Sequence, residues 1–161
     1  MDDLINKLTK DFPDIAFKPG GRFAWSPETN EVIYNIKKTN QSAKWSLLHE
    51  LGHGLLGHQS YASDVALLKL EVAAWAKAKA VGLTYNITIG EQHIESCLDT
   101  YRDWLYKRSI CPNCNNQCLQ QNDYIHYQCF NCHTIWRVSS NRFCRAYRST
   151  KKVSQTSVLN I

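Results

Sequence analysis

The stretch His49-Glu50-Leu51-Gly52-His53 sets two imidazoles around a carboxylate, the pattern H-E-x-x-H. On a helix, residues four apart share a face. At about 100° per residue, His53 lies about 40° round from His49. Both rings can then reach one metal ion. Glu50 falls about 60° to the side of His53, beside the metal and not on it. A zinc ion lowers the pKa of its water to about 7. A carboxylate placed like Glu50 can take that proton for attack on a carbonyl. Gly52, between the two histidines, leaves room for a close neighbour.

Two histidines do not complete such a site. His58, Asp64 and Glu71 are the nearby candidates for a third ligand. On a continued helix His58 would stand about 180° from His49, so its better fit is at the helix end. Asp64 stands where a helix N-cap belongs. Glu71 is different, because its helical neighbours are Leu67, Leu68, Ala74, Trp75 and Ala78, with Lys69 and Lys77 on the other face. An unpaired carboxylate buried there costs several kcal/mol. An ion pair or a neutral carboxyl would answer that cost, and zinc held by the neighbouring helix answers it best. On this reading Glu71→Ala loses zinc and activity, and His58→Ala keeps both.

A second constellation follows. Cys111, Cys114, Cys129 and Cys132 read C-x2-C-x14-C-x2-C. Four thiolates so spaced make a closed tetrahedral zinc site, with rubredoxin-like iron as the alternative. The segments YIHYQC and TIWRVS alternate like strands, which suggests a zinc ribbon. It is too small for a large core and needs its metal to fold. The cofactor expectation is therefore Zn2+, two per chain: one catalytic, one structural. Cys118, Cys144, His126 and His133 are spare, and Cys97 reads as a small core residue.

These sites need elements to hold them. Residues 2–12 read as an amphipathic helix stopped by Pro13. In RFAWSPETNEVIYNI, two strands flank a turn cluster at 26–30. The H-E-x-x-H helix is capped by Asn40 or Ser42 and ends near Gly57. A second helix starts at Ser63 or Asp64 and closes at Gly82. A third carries the stripe Ile94, Leu98, Tyr101, Leu105, with Thr88 and Glu91 at capping-box spacing. The fold class is α+β. The domain expectation is 1–108 for the H-E-x-x-H domain, 109–148 for the ribbon and 149–161 for a flexible basic tail.

The 161 residues carry a net charge of +5, unevenly spread. Residues 1–100 hold 10 Lys/Arg against 12 Asp/Glu, and residues 101–161 hold 9 against 2. In the ribbon, Trp136, Arg137, Arg142, Phe143, Arg145, Tyr147 and Arg148 interleave aromatics with arginines. That mixture suits stacking and phosphate contact with DNA or RNA. Docking of a protein, or a plainly solvated basic surface, fits it equally. No apolar run is long enough to span a membrane, and no secretion signal is evident. Paired C-x-x-C in an unsecreted chain favours metal over disulfides. The expected setting is the cytoplasm, with no membrane partner.

The segments FAWSPETNEVIYNI, WSLLHELGHGLLGH and LEVAAWAKA resemble zinc metallopeptidases of the ImmA/IrrE kind, over residues 15–85. The resemblance implies a small zincin-like domain in which His49, His53 and Glu71 bind zinc and Glu50 is the base. It implies an endopeptidase acting on proteins, often DNA-binding regulators. LGH after the motif is common in that group, which fits a structural His58. Such enzymes lay the substrate as an extra strand on a sheet edge, and residues 32–36 are the expected edge, unless they are a plain structural strand. The cysteine module departs from that group, so its substrates do not carry over. His93, Tyr61 and Tyr85 are weak candidates to stabilise an oxyanion. Two rivals stand beside this reading. One is a SprT-like, DNA-linked protease, which would need a third histidine. The other is a non-catalytic nucleic-acid-binding regulator with two structural zinc sites.

Overall fold

The structure, a computed structural model, describes residues 1–138 and 148–151. The chain divides into two compact units, Met1–Tyr61 with Ala66–Leu98, and Ala62–Val65 with Asp99–Ile161. The fold is mixed α+β, with four helices and two small sheets among the described residues.

The first unit opens with α1 (Asp2–Asp11), which buries Leu4, Ile5 and Leu8. Three strands follow: β1 (Ala16–Gly20), β2 (Ala24–Ser26) and β3 (Glu31–Asn35). The expected hairpin is β2–β3, antiparallel, with Trp25 opposite Val32. β1 is an addition to that expectation, and it pairs parallel to β3. Its Pro19 and Gly20 argue against a strand by composition. An edge strand tolerates them, since a missing N–H there removes no ladder bond to a further neighbour. The sheet order is β1-β3-β2. Residues 32–36 therefore do not form a free edge. β3 is central, and the edges are β1 and β2.

α2 (Gln41–Leu55) carries the H-E-x-x-H motif. Asn40 is its cap, accepting from the Ala43 N–H at 3.0 Å. Its end is a Schellman motif. Gly57 takes a φ of 62°, where a side chain would be strained. The His58 N–H donates to the His53 carbonyl at 3.1 Å, and the Gly57 N–H to Gly54 at 3.0 Å. α3 (Asp64–Thr84) runs two residues past Gly82. There the bare Cα lets the Ile87 carbonyl approach to 2.6 Å from where a Cβ would sit. α4 (Glu91–Ser109) starts without the expected capping box. The Gly90 carbonyl accepts from the His93 and Ile94 N–H groups, the Thr88 carbonyl takes the Trp45 indole, and Glu91 pairs with Lys79. Leu8, Val32, Leu47, Leu48, Leu51, Trp75, Ala78, Ile94 and Leu98 form the core. Each fully buried Leu contributes about 1.5–3 kcal/mol. No helix among the described residues is long and apolar enough to cross a membrane.

The second unit builds β4 (Leu119–Gln120), β5 (His126–Gln128), β6 (Ile135–Val138) and β7 (Arg148–Lys151) into one antiparallel sheet. Tyr127 and Trp136 pair across β5 and β6 with rings stacked at 5.6 Å. The division between Leu98 and Asp99 falls before the composition change at 109. The end of α4 belongs to the ribbon because Arg108 is buried in it. The Arg108 carbonyl takes the Trp136 indole N–H at 3.0 Å, and its Nε donates to Asp64 at 2.7 Å. Residues 149–151, at the start of the expected tail, lie in β7. Residues 139–147 and 152–161 lie outside the described residues, and with them Arg142 and Arg145.

Candidate metal centres

α2 and α3 meet at Gly52. A Cβ there would sit 2.5 Å from the Ala74 carbonyl oxygen, so only glycine allows this approach. The approach brings Glu71 of α3 to the two histidines of α2. His49 Nε2 lies 3.1 Å from Glu71 Oε2 and 3.2 Å from His53 Nε2. His53 Nε2 lies 3.7 Å from Glu71 Oε1. Two imidazole lone pairs facing at this range repel unless a proton or cation lies between them. Zinc bound tetrahedrally by N and O at about 2.0–2.1 Å would set its ligand atoms about 3.3 Å apart. The three groups match that edge length, and the cluster could hold a metal ion.

The electrostatics separate the two carboxylates. Burial would raise the Glu71 carboxyl, but hydrogen bonds from His49 and His53 outweigh it and hold it well below the usual carboxylate range. For Glu50, burial wins and raises the carboxyl, while His49, His53 and the Trp25 N–H oppose. The Trp25 backbone N–H of β2 donates to Glu50 Oε2 at 2.8 Å. A fixed anion for ligation beside a more basic carboxylate is the division of roles that proton transfer next to a metal needs.

Further groups surround the cluster. His49 stacks on Trp75 at 4.2 Å, and its Nδ1 is buried with no hydrogen-bond partner. His53 Nδ1 meets His58 Nδ1 at 2.9 Å. Burial and the neighbouring His53 lower the His58 pKa, which favours a neutral ring. The Trp25 indole donates to the His58 carbonyl at 2.8 Å. His58 thus closes the helix and does not join the cluster. Asp64 is no metal ligand either, and its carboxylate is not free to cap. It accepts from Arg108 Nε at 2.7 Å and from the Tyr127 hydroxyl at 2.6 Å. Of the three oxyanion candidates, the Tyr85 hydroxyl donates to Asp11, Tyr61 is exposed, and His93 lies edge-on to Trp75 at 5.5 Å with its Nε2 3.7 Å from Cys97 Sγ.

The second cluster is Cys111, Cys114, Cys129 and Cys132, with all four Sγ atoms within 4.8 Å of one another. Cys111 to Cys132 is 3.5 Å and Cys114 to Cys129 is 3.4 Å, far too long for disulfides. Zinc–thiolate bonds of about 2.3 Å would set an edge of about 3.8 Å. Asn115 and His133, just past each pair, take φ of 61° and 57°, which curls each knuckle around its sulfurs. Burial pushes the Cys111 thiol up to about 11, while the Thr134 hydroxyl holds Cys132 down to about 5. A cation between them would let all four ionise together. Trp136 is fully buried, packed on Tyr127, so the stacking role expected of it is corrected: it has no free face. Arg137 points outward on the same strand, and Arg148 lies in β7.

Sequence reasoning missed the Trp25 and Trp75 contacts to Glu50 and His49, and the buried group of Asp64, Arg108 and Tyr127. No local pattern signals a backbone N–H aimed at a side chain 25 residues away. Comparison with family models, with curated proteins and with solved structures finds no match.

Proposed function

We propose that the chain is a zinc-dependent metallopeptidase, a zincin-like endopeptidase of the ImmA/IrrE kind with a zinc ribbon, acting on a protein in the cytoplasm. The observation that carries this is the placement of Glu50. Its carboxylate is raised in basicity, held by the Trp25 N–H, and next to a two-histidine, one-glutamate cluster. His49, His53 and Glu71 would hold the zinc, which when bound would supply a Lewis acid able to polarise a peptide carbonyl and acidify water. Glu50 takes the proton of the attacking water at its carboxylate. It returns that proton to the amide nitrogen as the C–N bond breaks, so no net proton is consumed. β2 is the edge strand whose Trp25 N–H points at Glu50, so a substrate strand added along β2 would bring its backbone past the base.

Glu71 speaks against the SprT-like reading, since the third group at the histidines is a carboxylate. The four-cysteine ribbon serves as the structural zinc site, in a setting that keeps thiols reduced. The test is cleavage of a denatured protein or a DNA-binding regulator by the zinc-loaded chain. The wild type cuts, and Glu50→Gln keeps its metal and does not cut. A chain that never cuts but retards DNA on a gel would be the non-catalytic regulator instead.

A further inference from the structure

We propose that His58 is a positioning residue for His53, fixing the ring so that Nε2 is bare and turned toward His49 and Glu71. The inference rests on reading His49, His53 and Glu71 as a metal site. His53 Nε2 is the atom in the cluster, 3.2 Å from His49 Nε2. If Nε2 gives its lone pair to a metal, the ring proton sits on Nδ1. That N–H needs an acceptor, and His58 Nδ1 lies 2.9 Å away. His58 Nδ1 is then bare, and its own proton sits on Nε2.

The backbone holds His58 on both sides of its ring. Its N–H donates to the carbonyl of His53 itself, and its carbonyl accepts from the Trp25 indole. The Schellman turn at Gly57 therefore folds the chain back so that one histidine of the motif's stretch orients another. The two ligands are held by different means: His53 by a hydrogen bond to its far nitrogen, His49 by the flat face of Trp75. This reverses the sequence expectation that His58→Ala leaves the metal site intact.

The test measures zinc affinity at the histidine site by competition with a chromophoric chelator, in wild type, His58→Phe and His58→Asn. Phe keeps the ring shape without an acceptor, and Asn keeps an acceptor oxygen near the place of Nδ1. His58→Phe should weaken zinc binding about 10- to 100-fold, and His58→Asn should recover most of it. Nitrogen NMR of the zinc-loaded wild type should show the His58 proton on Nε2, with its Nδ1 bare and facing His53 Nδ1. Wild-type affinity in His58→Phe, an equal loss in both variants, or a proton on His58 Nδ1 would overturn the proposal. A wild-type chain holding zinc in the ribbon alone would instead refute the underlying metal-site reading. The NMR result decides even if His58→Phe fails to fold.

Discussion

Gly52 and Ala74 touch where the H-E-x-x-H helix crosses α3, with 2.5 Å between a would-be Cβ and the Ala74 carbonyl oxygen. That oxygen is backbone, so it cannot swing aside. Gly52→Ala must push the helices apart and carry Glu71 away from His49 and His53. We expect a loss of about 1–3 kcal/mol in stability from overpacking. Weaker metal binding at the histidine site should accompany it, with the ribbon metal unaffected. Chemical denaturation and metal titration check the two effects. Unchanged binding would mean that this close approach does not set the site.

The Asp64 carboxylate, the Arg108 guanidinium and the Tyr127 hydroxyl form one buried group in the ribbon unit, with Arg108 Nε at 2.7 Å and the hydroxyl at 2.6 Å from Asp64 Oδ2. Removing one partner leaves a buried charge behind. Arg108→Met should destabilise the unit by about 3–5 kcal/mol, and Tyr127→Phe by about 1–3 kcal/mol. The double variant Asp64→Leu with Arg108→Met should lose less than the sum of the singles, because the charges leave together. Strict additivity in urea denaturation would contradict the pairing.

Tyr85 gives a pH prediction. Burial and its hydrogen bond to Asp11 push its hydroxyl up to about 12. A raised folded pKa means the stabilisation is fully present below the unfolded value, about 10. It is lost as pH rises through the folded value. Asp11→Asn should move the Tyr85 midpoint down toward the unfolded value and shrink the loss of stability as pH rises between the two values. Ultraviolet titration of the phenol follows it. An unmoved midpoint would release Tyr85 from Asp11 and reopen its candidacy near the metal site.

Chelation should separate the two centres. The ribbon core is Cys111, Cys118, Tyr127, Cys129, Trp136 and Val138, with Cys114 and Cys132 packed against it. Half of those core residues are cysteines, so stripping the metal should melt the unit. The first unit keeps an apolar core independent of metal and should remain folded when its own ion is removed. Tyrosine and tryptophan fluorescence during stepwise chelation reads both. A ribbon that stays folded without metal would contradict the expectation.

Much of the site is legible in residue spacing. The spacing of the four cysteines points to the cluster they form, and Glu71 stands out as a carboxylate among Leu67, Leu68, Ala74 and Trp75. Gly52 reads as a point of close approach. What fails depends on contacts distant in sequence. β3 reads as an edge because nothing local shows that β1 returns beside it. Asp64 looks like a cap until Arg108, 44 residues on, is brought to it. Trp136 and Arg137 alternate inward and outward, and the sequence alternation alone does not say which of the two faces the core. Spacing places His58 at the helix end, and its second contact, to His53, follows only from the left-handed turn at Gly57.

Metal counting by native mass spectrometry tests the central claim most directly. Wild type should carry two zinc ions per chain, and Glu71→Ala one. Cys114→Ser with Cys132→Ser should keep only the ion at His49, His53 and Glu71. A wild-type chain with one ion, or a Glu71→Ala chain that still holds two, would contradict the account.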